Sequence, residues 1–176
     1  MADLTFDEME DILLAHEKAE LEEDLEATMA TVSPNPHYEF PTFGWAADGT
    51  EAVREHYRRV LPNTSKLNIA AEKRVHGAAA NTLIREAWVS FTLDGERHTG
   101  MYLVVITFDP ELKLIEGERI YADSNFQKVM ARDLGADYGE FPGVSRIEDG
   151  APVIDIHDAF TEAAARGMTI AAPKAN

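Results

Sequence analysis

A chain of 176 residues with 45% apolar side chains is long enough to bury a core of its own and too apolar to be disordered. Its formal net charge of −16 speaks against nucleic acid, anionic membranes and polyanionic substrates, all of which call for a Lys/Arg surplus, and leaves a small apolar or aromatic molecule as the natural partner. The absence of cysteine removes disulfides and thiolate metal sites; no apolar run approaches the ~20 residues of a membrane helix, and the acidic start MADLTFDEMEDI lacks the regions of a signal peptide, so a cytoplasmic protein is expected.

Phe6 to Val32 reads as a helix. Leu14, Leu21, Leu25, Met29 and Val32 recur at helical spacing, with the acidic Glu22, Glu23 and Glu26 off the stripe. His16 lies almost opposite these leucines, either as a surface or internally satisfied residue or as a pocket residue on a second, small-residue face. Ser33-Pro34-Asn35-Pro36 stops the helix, because each Pro disfavours α geometry in the residue before it. In the extended segment His37-Tyr38-Glu39-Phe40-Pro41, alternation sorts His37 and Glu39 to one face and Tyr38 and Phe40 to the other. Either the aromatics pack inward and the ionisable pair meets water, or the pair points into a cavity. The loop Thr42–Asp48 carries Phe43 and Trp45, apolar enough to roof such a cavity.

Thr50–Leu61 is a second helix with Thr50 as its N-cap; Val53, Tyr57 and Leu61 form its buried stripe, and His56 beside them is expected in a packing or surface role. Leu67–Val75 reads as a strand. Three long strands follow, Thr82–Leu93, Glu96–Phe108 and Leu112–Asp123, reversing at Asp94-Gly95 and Asp109-Pro110. Their alternation is imperfect, mixing Trp88, Tyr102 and Tyr121 with Arg85, His98 and Glu118, which suggests that one face lines a pocket. A short helix, Ser124–Leu134, ends at Gly135. Residues 1–134 are read as the domain, and 135–176, with a last helix at His157–Arg166, as a C-terminal extension packing on it or on a partner subunit.

Several chemistries find no motif. No Gly-rich loop opens a helix after a strand, and neither HExxH nor G-x-S-x-G occurs. His37 and Glu39 at i, i+2 have no further pair to complete a metal set, so neither metal nor cofactor is expected. The order of elements gives an α+β fold, with helices packed on one side of a bent antiparallel sheet.

The helix AHEKAELEEDLEATMATVSP, the segment PHYEFPTFG, the helix opening GTEAVREHY and the strand KLIEGERIYADSN together resemble the SnoaL-like branch of the nuclear-transport-factor-2-like superfamily, over residues 9 to 130. The resemblance implies a conical α+β barrel whose helices pack on the concave side of the sheet, around a pocket for small, mostly apolar ligands. Members include polyketide cyclases, ketosteroid isomerases, scytalone dehydratases, epoxide hydrolases, aldol-type lyases and non-catalytic proteins. By the same resemblance Glu39 and His37 point inward, Ala122 replaces an inward aromatic between Ile120 and the closing Asp123, and two copies pair through the outer face of the sheet as a homodimer or higher oligomer. Arg85-Glu86-Ala87 lacks the carboxylate of the epoxide-hydrolase pair, and whether Arg85 or Glu86 and Trp88 face inward stays open.

The function expected is a cofactor-independent acid–base enzyme, a lyase performing retro-aldol cleavage or dehydration on a ring-bearing hydroxylated compound. The alternatives are an isomerase or cyclase of a polyketide- or steroid-like substrate, and a non-catalytic ligand-binding domain. His37 or Glu39 would be the base, Tyr102 an oxyanion donor and Arg85 a second donor. Trp45, Phe43, Trp88, His98, Glu118, Ile120 and His16 would bind substrate.

Overall fold

A computed structural model describes residues 2–149 and 163–169. Thr5 and Glu8 form a capping box that starts α1 (Phe6–Leu21), each side chain satisfying the other's backbone N–H. The helix does not continue to Val32. Glu23 turns the chain at φ 56°, and Asp24 caps a separate short helix, α2 (Leu25–Ala30), by accepting from the Ala27 amide. This break overturns the leucine stripe, which was counted across it: Leu14 and Leu21 are 64% and 68% exposed, whereas Met9, Leu13, His16 and Ala19 form the buried face.

Seven strands form one curved, open sheet in the order β3-β4-β5-β6-β1-β2-β7. They are β1 (Val32–Phe40), β2 (Trp45–Asp48), β3 (Ala70–Ala79), β4 (Thr82–Leu93), β5 (Glu96–Asp109), β6 (Leu114–Ala122) and β7 (Val144–Arg146). The sheet is mixed rather than wholly antiparallel, because β1 runs parallel to β6 while every other neighbour is antiparallel. The Pro-rich segment belongs to β1, with a register shift between Val32 and His37. Gly117 is needed opposite that shift, since a Cβ there would meet the His37 carbonyl oxygen at 2.5 Å. The expected loop around Trp45 is instead β2, the hairpin partner of β1, flanked on its other side by β7.

The remaining helices are α3 (Gly49–Val60), α4 (Thr64–Leu67) and α5 (Phe126–Leu134), the last closed by Gly135 at φ 78°. Val53, Tyr57 and Leu61 are buried as their spacing requires. Asp48, not Thr50, holds the N-cap position of α3, and the Thr50 hydroxyl donates to the Pro34 carbonyl. α3 packs on β1, so the main core lies between that helix, α1 and the sheet's concave face.

Residues 135–149 are continuous with this core. Tyr138 is 1% exposed within it, and β7 extends the sheet by pairing with β2. The backbone at Gly139 runs so close to the Trp45 ring that an added Cβ would overlap it, and the Arg146 guanidinium stacks on the same ring at 3.7 Å. The expected helix His157–Arg166 falls largely outside the described residues. No helix among the described residues is long and apolar enough to cross a membrane.

Candidate functional site

Register decides which side chains the sheet turns inward. Opposite partners share a face, so Tyr38 stands beside Glu118, Arg85 beside Val104, and Tyr102 beside Ala122. These residues occupy the concave face, and α1, α3, α4 and α5 cover it. Between them lies a cavity of about 370 Å³, whose lining includes His16, Glu20, Arg85, Tyr102, Glu118 and Ile120. Of the residues expected to contact substrate, His16, Glu118 and Ile120 are therefore brought together here, with Tyr102 and Arg85. The open question on β4 resolves in favour of Arg85.

The orientation expected for β1 is reversed. Tyr38 and Phe40 are fully buried on the concave side, against His56 and Tyr57 of α3. Two aromatic rings stabilise more by burial than an ionisable pair would, and that preference sets the strand's face. His37 and Glu39 turn to the other side and join a separate network. His37 Nδ1 lies 2.6 Å from Asp48 and Nε2 3.0 Å from Glu39, whose carboxylate is paired with Arg119 at 2.7 Å. Neither His37 nor Glu39 lines the cavity. Phe43 and Trp45 pack against the main core near Tyr138. Trp88 stands 42% exposed on the outer face, and His98 stacks on Phe91 at 5.8 Å without reaching the cavity lining.

The chemistry of the cavity centres on His16, 1% exposed. Thr31 donates its hydroxyl proton to the Thr28 carbonyl, so the Thr31 oxygen accepts from His16 Nδ1, 2.6 Å away. Nδ1 thus carries a hydrogen, and Nε2 is the nitrogen that gains and loses a proton. Nε2 lies 2.9 Å from the Tyr57 hydroxyl, 3.4 Å from Glu20 and 3.7 Å from Glu118. Tyr57 in turn donates to Tyr38 at 3.0 Å, a chain that is fully satisfied when His16 is an imidazolium. Burial opposes that charge, but Glu20, Glu118 and Glu17 outweigh it and raise the His16 pKa. Burial pushes Glu118 up to about 7, aided by Glu20 and Glu17 and opposed by His16. Burial also raises the pKa of Tyr38, Tyr57 and Tyr102, which keeps their hydroxyls protonated.

Arg85 is only 6% exposed, and its charge is already matched. Its two terminal nitrogens donate to Glu17 and Glu10, each at 2.6 Å, bridging α1 to β4. Among the described residues, no group of three or more metal-ligating side chains is arranged to hold an ion.

A pH dependence of stability follows. Glu118 and His16 both have folded pKa values above their unfolded ones, so the native state holds more protons and stability falls as pH rises from about 4.5 through 7. His56, with its pKa lowered to about 3 by burial, acts oppositely and weakens the fold as pH falls below 6.5. Glu118→Gln removes the Glu118 contribution and part of the rise in the His16 pKa, and both changes act in the same direction. The variant should gain on the order of 2 kcal/mol relative to wild type between pH 5 and 8, measured by urea unfolding. An unchanged difference across that range would show that Glu118 does not hold a proton near neutrality.

No family model matches the chain, and no curated protein matches its sequence. Solved structures do match its fold. A putative SnoaL-like polyketide cyclase from Jannaschia sp. CCS1 aligns at a TM-score of 0.57 and 12% identity, covering 74% of this chain and 99% of its own. A protein of unknown function with a cystatin-like fold from Methylobium petroleophilum PM1 aligns at 0.55 and 15% identity over 99% of each chain. SalBIII, an epoxide hydrolase/cyclase-like enzyme in pyran ring formation in the polyether salinomycin, aligns at 0.54 and 17%, over 66% of this chain and 92% of its own. The fold is the nuclear-transport-factor-2-like α+β fold, and its neighbours include proteins of the SnoaL-like branch.

The sequence expected His16 as one substrate contact among several and not as the centre of the cavity. His16 had been set opposite a leucine stripe that the break at Glu23 abolishes. The spacing Met9, Leu13, His16, Glu20, which places all four on one side of α1, was the signal for it.

Proposed function

We propose that the chain is a cofactor-independent acid–base enzyme acting on a small, uncharged, ring-bearing hydroxylated compound, with His16 and Glu118 as its proton-transferring pair. The observation that carries this reading is the convergence of His16, Glu20 and Glu118 on one imidazole nitrogen inside the cavity. A buried carboxyl set beside a buried imidazole in a cavity wall is the arrangement that proton transfer to a bound molecule requires. Between them the pair holds a proton that either member is able to surrender, so the two titrate as a unit. In one direction the basic form removes a proton from a carbon or hydroxyl of the substrate; in the other the acidic form returns it to a neighbouring atom. Tyr102, protonated and facing the cavity, donates to the oxygen on which negative charge develops. Arg85 no longer serves as a second donor in this reading, because Glu10 and Glu17 occupy its terminal nitrogens. Their carboxylates also neutralise the Arg85 charge that an anionic substrate would otherwise meet.

Elimination or retro-aldol cleavage fits a pair that takes a proton at one atom and delivers it at another. Ring closure uses the same steps, and the cyclase-like descriptions of two fold neighbours favour keeping it as the second reading. A test independent of the net reaction is solvent deuterium incorporation. Ring ketones such as β-tetralone, incubated with the protein in heavy water, should exchange protons beside the carbonyl faster than in buffer alone. A panel of such ketones with no member accelerated would overturn the proposal.

A further inference from the structure

One buried ionisable group in the cavity wall takes no part in this proton transfer. His56 lies on α3 next to Tyr57, is 4% exposed and lines the cavity. Its ring is held face to face with Phe40 at 4.5 Å and 20°, edge-on to Tyr57 and Tyr138 at 5.3 and 6.2 Å, and tilted against Tyr38 at 6.3 Å. Its Nδ1 is buried and has no hydrogen-bond partner among the described residues. Val60, Leu61, Ile106 and Met130 are among the apolar residues of the same lining. No charged side chain forms an ion pair with the ring, and burial holds its pKa down to about 3, so the imidazole stays neutral.

A phenylalanine would make the same stack on Phe40 without leaving a polar atom unmatched, an omission that costs ~1–3 kcal/mol in a buried setting. An imidazole kept there is explained by something that enters the cavity. His16 and His56 both line the cavity and both pack on the Tyr57 ring, at 5.5 and 5.3 Å, which places His56 near the proton-transferring pair.

We propose that His56 is a specificity-determining residue, a neutral imidazole that hydrogen-bonds a second oxygen of the substrate, a hydroxyl or a carbonyl, distinct from the one at the reacting end. This rests on the proposed function and narrows its substrate class to ring compounds bearing at least two uncharged oxygens. A carboxylate or phosphate is disfavoured at this end, because the ring brings no positive charge to meet it.

The test compares β-tetralone with its ring-hydroxylated analogues as probes, by calorimetric affinity on the full chain. Wild type should bind at least one hydroxylated analogue roughly 10–100-fold more tightly than the parent. His56→Phe should keep its affinity for the parent and lose that preference, with a melting temperature equal to or above wild type. In wild type a hydroxylated analogue should also move the resonance of a His56 ring nitrogen, which the parent leaves in place; this holds the proposal to account even where the variant folds poorly. Equal affinity of wild type for the parent and every analogue, including no measurable binding of any, overturns the assignment. So does a preference that survives in His56→Phe. Binding is read without turnover, so loss of deuterium exchange alone counts against the acid–base reading and leaves this contact standing.

Discussion

His16→Asn and Glu118→Gln should each leave a folded protein whose exchange or turnover falls by a factor of ~10²–10⁴, the range for removing a positioned acid or base. The geometry gives the reason. His16 Nε2 is the one nitrogen of that ring free to change protonation, because Nδ1 is committed to Thr31, and the carboxylates of Glu20 and Glu118 stand around it. Removing Glu118 takes away both a proton acceptor and one of the charges that raise the His16 pKa. Removing His16 leaves Glu118 buried with its acidic neighbours alone, which drives its pKa further up. Each single change disables the same step, so the double variant should be little worse than either single one. Glu39→Gln makes the contrasting control. Its carboxylate belongs to the network with His37 and Arg119 on the opposite side of the sheet, so the change should cost ~1–3 kcal/mol of stability and leave the rate per folded molecule near wild type. Full activity in both cavity variants, measured as initial exchange rate at saturating ketone, would remove the pair from the mechanism.

The contrast between these two carboxylates shows how far sequence reasoning reaches. The α+β class and the three long strands with their Asp94-Gly95 turn follow from local pattern, and the structure has them, whereas the inward face of β6 came with the family resemblance. Alternation also separated His37 and Glu39 from Tyr38 and Phe40. It did not say which pair faces inward, because that depends on the β1–β6 register and on α3 offering Tyr57 and His56 as partners for the two rings. Both are long-range facts. The parallel pairing of β1 with β6 brings together residues 80 positions apart, Tyr38 and Glu118, and no local pattern encodes it. His16 was left between a surface and a pocket position for a different reason: one residue in the left-handed region, Glu23, splits what reads as a continuous helical stripe. Up to that break α1 keeps its own phase, and its buried side is the one carrying the histidine.

Tyr138→Ala should lower stability by ~3–5 kcal/mol, the range for truncating a large core aromatic. For a chain of this size that is a fall in melting temperature of about 6–20 °C. Tyr138 sits on a short 3-10 turn in the segment that sequence assigned to an extension beyond Leu134, yet it is 1% exposed and touches three rings of the main core. Phe40 lies at 6.5 Å, Trp45 at 6.4 Å and His56 at 6.2 Å, each edge-on to its ring or nearly so. The Arg59 guanidinium covers the ring at 5.6 Å while donating to the Leu134 carbonyl and to Asp137, which pins the start of the segment to α3. Immediately after the turn, β7 docks on β2. The ring, not the hydroxyl, is what the core uses: Tyr138 Oη has no hydrogen-bond partner among the described residues. Tyr138→Phe should therefore melt at or above wild type, because no protein hydrogen bond is lost and an unmatched buried hydroxyl is removed. A chain ending at Leu134 should be destabilised at least as much as Tyr138→Ala, since it loses the ring and the β7 pairing together. Thermal unfolding of the three proteins at one pH separates the possibilities. A Tyr138→Ala melt within 2 °C of wild type, well short of the predicted loss, would show that the core closes at Leu134 and that the segment after it only rests on the surface.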